Sequence, residues 1–242
     1  MFGRAHAEAL IARWQEKWSR ATVYQYRREL LHLAKFIGQQ TRRETTGLVP
    51  RVRRPSPRET IATPEEIERL KAVSKAWMRL YILIATTTAL RRGDILRLSQ
   101  AHIAADEHAG PVLRLRQQKT DRILTLPLAP QLQEAIAALP PGETEATPFL
   151  ERAAGKPVTV AMFGHEWKQL RKKAIVRPEL TSHDLRRTVA VSLYEISKDL
   201  RTVQQMLGHT SLSSTVIYLE HKDPEKLKPL LQQLWTSKGP VQ

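Results

Sequence analysis

Between Trp77 and Leu90 the chain reads WMRLYILIATTTAL, with Arg79 as its only charge. A helix that is apolar all round has no face to give to water, so this run must lie in the core with other elements packed about it. It is too short to span a membrane, which takes about 20 apolar residues. The start, MFGRAHAEAL, lacks the long apolar region of a signal peptide. With 242 residues, 41% of them hydrophobic, a sizeable core is within reach, in one large domain or one medium and one small. The absence of cysteine excludes disulfides, thiolate zinc sites and a thiol nucleophile. The chain reads as a cytoplasmic protein with no membrane partner.

The periodicity around that run divides the rest. Residues 7–40 are helical in pattern, with Tyr26, Leu30, Leu33 and Ile37 on one face, and Ser19 or Thr22 can cap the second of two helices. The segment RRETTGLVPRVRRPSPRET, 42–60, has neither period and reads as an extended basic linker. Thr63, Pro64 and Glu66 then spell a capping box, and helix follows to about residue 74. VLRLRQ (112–117) and ILTLPL (123–128) alternate, which predicts a β-hairpin, with a short third strand near His102–Ile103. Beyond Pro130 the pattern is helical again nearly to the end, broken at 139–148. The expected class is mainly α with a small antiparallel sheet. Its parts are a short helical segment (1–41), a linker (42–60), a principal domain (61–222) and an amphipathic tail (223–242).

Charge points to the partner. Lys and Arg number 39 against 24 Asp and Glu, a net +15, which favours a polyanion, nucleic acid before anionic membrane. Polar residues also stand where packing does not ask for them. The buried run ends by delivering Arg91 and Arg92 from the core, and Asp94 follows, either pairing with Arg91 or orienting it outward. Lys119 sits at the hairpin tip. His183 and Arg186, in TSHDLRRTVA, share a helix face, with Thr181 or Ser182 as cap. His209 follows Gly208, a helix stop, and Tyr218 lies nine residues on in LGHTSLSSTVIYLEH. Each has a plain packing or solvation reading. Together they form a set suited to phosphate: arginine grips non-bridging oxygens, histidine and lysine move protons, and a tyrosine whose phenolate is favoured by cations is a nucleophile. No P-loop, dinucleotide fingerprint, HExxH or carboxylate cluster for magnesium competes with it.

The order TALRRGD, hairpin lysine, HDLRRT, LGH and a tyrosine nine residues later resembles the tyrosine recombinase (phage integrase) family, from about residue 60 to 221. The resemblance implies a recombinase catalytic fold behind a short helical N-terminal domain. It also implies a site-specific recombinase that needs no metal, ATP or other cofactor. Tyr218 would attack a DNA phosphate to give a 3′-phosphotyrosyl link. Arg91 and Arg186 would hold the non-bridging oxygens, with Asp94 supporting the first arginine. His209 would donate to the phosphate, Lys119 would protonate the leaving 5′-oxygen, and His183 would help the proton leave Tyr218. The family usually has Gly where this chain has Ala89, His where it has Arg187, and a longer helical domain before the linker.

Double-stranded DNA is the partner implied, with a free monomer assembling on it as dimer and tetramer. Arg51, Arg53 and Arg54 in the linker, and His165, Lys168 and Lys172 opposite the apolar stripe Val160, Phe163, Trp167, Leu170 and Ala174, are candidate DNA contacts. The tail carries Leu227, Leu230, Leu231 and Leu234 on one face, for packing on its own domain or on a neighbour. Two other readings use the same residues: a type IB topoisomerase, and a DNA-binding accessory protein on an integrase fold.

Overall fold

The computed structural model describes residues 3–55, 60–151, 156–212 and 215–216. By its internal contacts the chain divides into two units, Met1–Arg58 and Glu59–Gln242.

In the first unit, α1 (Arg4–Lys17) and α2 (Arg20–Thr41) are separated at Ser19, whose Oγ accepts from the Thr22 amide at 3.3 Å. Ala7, Ile11 and Val23 are buried, and Trp14 meets Tyr26 edge to face at 5.4 Å. Tyr26, Leu33 and Ile37 lie on the face the periodicity assigns them but stay exposed. The linker expected from residue 42 does not start as an open tether. Arg42 turns left-handed (φ 52°), Thr46–Leu48 forms a 3₁₀ turn, and Val49 is buried. The Thr45 hydroxyl donates to the Ala34 carbonyl, and Arg27 Nε donates to the Pro50 carbonyl at 2.8 Å. These bonds return the chain to α2, and a composition dominated by arginine and proline does not register them. A Cβ at Gly38 would stand 2.7 Å from the Arg43 carbonyl oxygen, so the return also needs that glycine. Arg51, Arg53 and Arg54 follow, exposed and without regular structure.

The second unit opens with α3 (Pro64–Val73), capped reciprocally by Thr63 and Glu66. The Glu66 carboxylate is buried and also receives Arg177 through two bonds of 2.7 and 2.8 Å, which ties α3 to the turn after α7. The apolar run forms α4 (Ala76–Thr88), burying Met78, Leu80, Tyr81, Ile82, Ile84 and Ala85. A short α5 (Arg92–Ile95) leads to the antiparallel sheet β1 (Ile103–Asp106), β2 (Gly110–Arg116), β3 (Ile123–Pro127), in that order. Leu113 pairs with Leu126 and Leu115 with Leu124, so four leucines face the core while Arg114 and Arg116 face out. After α6 (Pro130–Ala137) the next described helix starts only at Val160, a longer break than 139–148. Pro148 and Glu151 there bridge to Ser99 and Pro157, which holds the chain extended.

α7 (Val160–Lys173) buries Phe163, Trp167 and Leu170, with Ala174 just beyond it. Val160 is 51% exposed and does not belong to the stripe, because the first turn projects past the core. The ring of Phe163 lies 4.4 Å from Tyr81 and 5.8 Å from Trp167, so α7 closes on α4 through aromatic contacts. α8 (Ser182–Ser197), capped by Thr181 with Asp184, packs across α4, and α9 (Leu200–Leu207) packs on α8. No helix among the described residues is long and apolar enough to cross a membrane.

Candidate active site

The site forms where four chain ends meet: the exit of α4, the hairpin turn, the first turns of α8, and the exit of α9. α4 stops because Ala89 adopts φ 52°, which reverses the chain and frees its carbonyl. Arg186, on α8, is 1% exposed and donates Nη1 to that carbonyl at 2.6 Å. Its Nη2 donates to the Leu207 carbonyl at 2.9 Å and contacts His209 Nε2 at 3.2 Å. Two unpaired helix C-terminal carbonyls therefore hold the guanidinium, where the helix dipole is negative.

His209 is 6% exposed, and its Nδ1 lies 3.0 Å from Thr215 Oγ1. Arginine only donates, so in this contact Nε2 accepts from Arg186 and the ring proton lies on Nδ1, toward Thr215; the donation to phosphate expected of His209 needs the other tautomer. Burial, then the charges of Arg186, Arg91 and Lys119, push His209 down to about 4. His183 keeps an exposed face, which limits its desolvation. Partial burial, then the charge of Arg186, still lowers it; Asp184 opposes them, and Arg91 and Lys119 add to the lowering. Both rings are thus neutral at pH 7, within the field of three cations.

Arg91 is half-buried and donates Nη1 to Gln117 Oε1 at 3.1 Å. Asp94 is 1% exposed; it accepts from Arg97 Nη2 at 3.1 Å and from the Gln118 amide at 3.0 Å. Its bonds are not to Arg91. Arg91 precedes α5 in an extended conformation, whereas Arg97 is one turn on from Asp94 and shares its side. The link between Asp94 and Arg91 therefore runs through the hairpin. Lys119 is exposed at the tip of that hairpin, whose turn is closed by Gln117 N to Arg122 O at 2.8 Å and Asp121 N to Gln117 O at 2.9 Å.

Three residues of the site escape a reading by residue type. Gln117 is fully buried and spans Arg91, Thr120 and the Leu207 carbonyl; its signal is a polar residue at the inward position after Leu113 and Leu115. Thr215 carries no comparable pattern, and the left-handed turn at Ala89 is signalled only by the glycine usual there in the family that the sequence resembles. His165, Lys168 and Lys172 are exposed on α7, away from its buried stripe. Tyr81 is no rival nucleophile, since burial pushes its phenol up to about 12. Tyr218 and the tail 223–242 lie outside the described residues.

This arrangement can be compared with known proteins. The chain is 33% identical to tyrosine recombinase XerC of Brucella suis biovar 1 (strain 1330) over 141 residues, 55% of this chain and 45% of the relative. It is 25% identical to an integrase/recombinase of Escherichia coli over 259 aligned residues, 89% of this chain and 76% of that one. The chain spans about half the length of the XerC relatives it matches. Among solved structures, XerH site-specific recombinase bound to difH substrate superposes with a TM-score of 0.71 at 21% identity, covering 95% of this chain and 70% of that one. A lambda integrase (75–356) dimer bound to a COC′ core site gives 0.74 at 19% identity, covering 91% and 81%. The model of the phage integrase family matches residues 61–225, a span that holds both arginines, both histidines, the hairpin lysine and Tyr218, and the chain belongs to that family.

Proposed function

We propose that the protein is a site-specific DNA recombinase that cuts and rejoins strands through Tyr218. The observation that carries this is the convergence of Arg91, Lys119, His183, Arg186 and His209 where the exit of α4, the hairpin turn, α8 and the exit of α9 meet, with the tyrosine nine residues past the last of them. Relatives under the name tyrosine recombinase support the same reading.

In the reaction, the Tyr218 oxygen attacks a backbone phosphorus in line and loses its proton toward His183. The P–O5′ bond breaks, Lys119 gives the leaving oxygen a proton, and the product is a 3′-phosphotyrosyl link with a free 5′-hydroxyl. Arg91 and Arg186 face the non-bridging oxygens and stabilise the charge that builds on them. A phosphodiester is exchanged for another phosphoester, so the step needs no ATP, and a 5′-hydroxyl from a second strand reverses it. Arg51, Arg53 and Arg54, and the exposed α7 residues His165, Lys168 and Lys172, serve to hold the duplex. Assembly of several copies on paired sites would complete strand exchange.

The test uses nicked suicide duplexes carrying candidate sites from DNA beside the gene. The wild type is expected to form a denaturant-resistant adduct, and Tyr218→Phe to bind DNA without forming one. An adduct from the Phe variant overturns the assignment, and relaxation of supercoiled plasmid without strand exchange supports a topoisomerase instead.

A further inference from the structure

We propose that Gln117 is a positioning residue for this site: it fixes Arg91 and the Lys119 turn in one frame anchored on Leu207, without neutralising the arginine. The role rests on the reading of the site as a strand-transfer centre.

The geometry leaves the Gln117 amide one orientation. Arginine only donates, so Oε1 faces Arg91 at 3.1 Å; the Leu207 carbonyl only accepts, so Nε2 faces it at 3.2 Å. Oε1 also accepts from Thr120 Oγ1 at 2.7 Å, one residue beyond Lys119. The Leu207 carbonyl receives Arg186 Nη2 as well, so a single oxygen registers both arginines. Arg91 comes from the α4–α5 junction, Lys119 from the sheet, and Arg186 and His209 from α8 and the end of α9. Gln117 contacts or adjoins all of these except the α8 backbone.

The approach is tight enough to constrain its neighbour. A Cβ on Gly208 would stand 2.5 Å from Gln117 Oε1 and 2.7 Å from both Cδ and Nε2, and Gly208 has φ 61°. The glycine of the Leu207-Gly208-His209 stretch thus ends α9 and also makes room for the amide.

Charge explains why an amide suits the position. A glutamate of the same shape would pair with Arg91 and consume the charge meant for phosphate, and would set an oxygen against the Leu207 carbonyl. The amide oxygen holds the guanidinium and leaves its charge in place.

The experiment compares Gln117→Met, Gln117→Glu and Thr120→Val with the wild type on the suicide duplexes, following affinity, single-turnover adduct formation and melting temperature. At about pH 7.5 both Gln117 variants should slow adduct formation by about tenfold or more, as loss of a preorganised charge contact does, with affinity changed by less than about threefold. Gln117→Glu should be slower than Gln117→Met, because its carboxylate also takes up the Arg91 charge. Thr120→Val, at a half-buried turn, should slow cleavage of ordinary phosphate. It should be restored by a 5′-bridging phosphorothiolate, whose leaving group needs no acid. Wild-type rates in the Gln117 variants overturn the role, as do losses that only follow the melting temperature or a Gln117→Glu no slower than Gln117→Met. If neither Gln117 variant folds, Thr120→Val decides, and an unchanged rate or a loss that phosphorothiolate fails to restore overturns it. A wild type that forms no adduct on any duplex overturns the strand-transfer reading itself, a result distinct from a reactive wild type with reactive variants.

Discussion

Arg186 Nη1 donates to the carbonyl of Ala89 at 2.6 Å, and Ala89 holds that carbonyl in place only by adopting φ 52°. The left-handed region costs an L-residue with a Cβ roughly 1–2 kcal/mol, and glycine escapes that cost. Strain is therefore stored at the residue that orients the buried arginine. Ala89→Gly is expected to raise stability by about 1 kcal/mol, read as a higher urea midpoint at unchanged slope. A lower midpoint would show that the Ala89 methyl, buried beside Val203 and Leu207, contributes more than the strain removes.

Arg186→Lys tests the fork. One ammonium cannot reach Ala89 O, Leu207 O and His209 Nε2 from the guanidinium's directions. Leaving buried acceptors unmet costs about 1–3 kcal/mol each, so a clear loss in melting temperature is expected. Adduct formation should fall on the order of 10²–10³-fold, the usual cost of one lost transition-state donor. A Lys variant that keeps wild-type cleavage would remove Arg186 from the phosphate.

The histidines make stability depend on pH with a definite sign. His209 ordinarily titrates near 6.5 and is pushed down to about 4 in the fold, so between those values the unfolded chain binds more protons. Its contribution is full above about pH 6.5, declines as the pH falls toward 4, and stays flat below. The wild type should lose on the order of 1–3 kcal/mol more than His209→Gln across that window. Equal acid sensitivity in urea titrations of the two proteins would show that the ring is protonated at little cost.

Replacing Arg51, Arg53 and Arg54 together by Ala should weaken DNA binding and flatten its log–log dependence on salt. Each arginine that meets a phosphate adds about 0.9 to the slope. Titrations at several salt concentrations read the difference directly, and an unchanged slope would make this exposed stretch a tether.

The elements legible in the sequence are those set by local chemistry. Thr63 with Glu66, Ser19 or Thr22, Thr181 or Ser182, and Gly208 announce helix ends because caps satisfy backbone groups within three or four residues, and of the two pairs the structure uses Ser19 and Thr181. Alternation along 112–117 and 123–128 marked the hairpin because only one face of the sheet is buried. Arg91, Lys119, His183, Arg186 and His209 could be picked out by type and order, since phosphate chemistry admits few side chains. What tertiary structure decided is whom they touch. Asp94 went to Arg97 and the hairpin amide, residues 42–50 returned to α2, and Gln117 became the joint between Arg91 and Leu207. These outcomes depend on unpaired carbonyls and amides brought together from distant helix ends. Burial makes satisfying such groups obligatory, yet no period or spacing along one chain segment records which groups will meet.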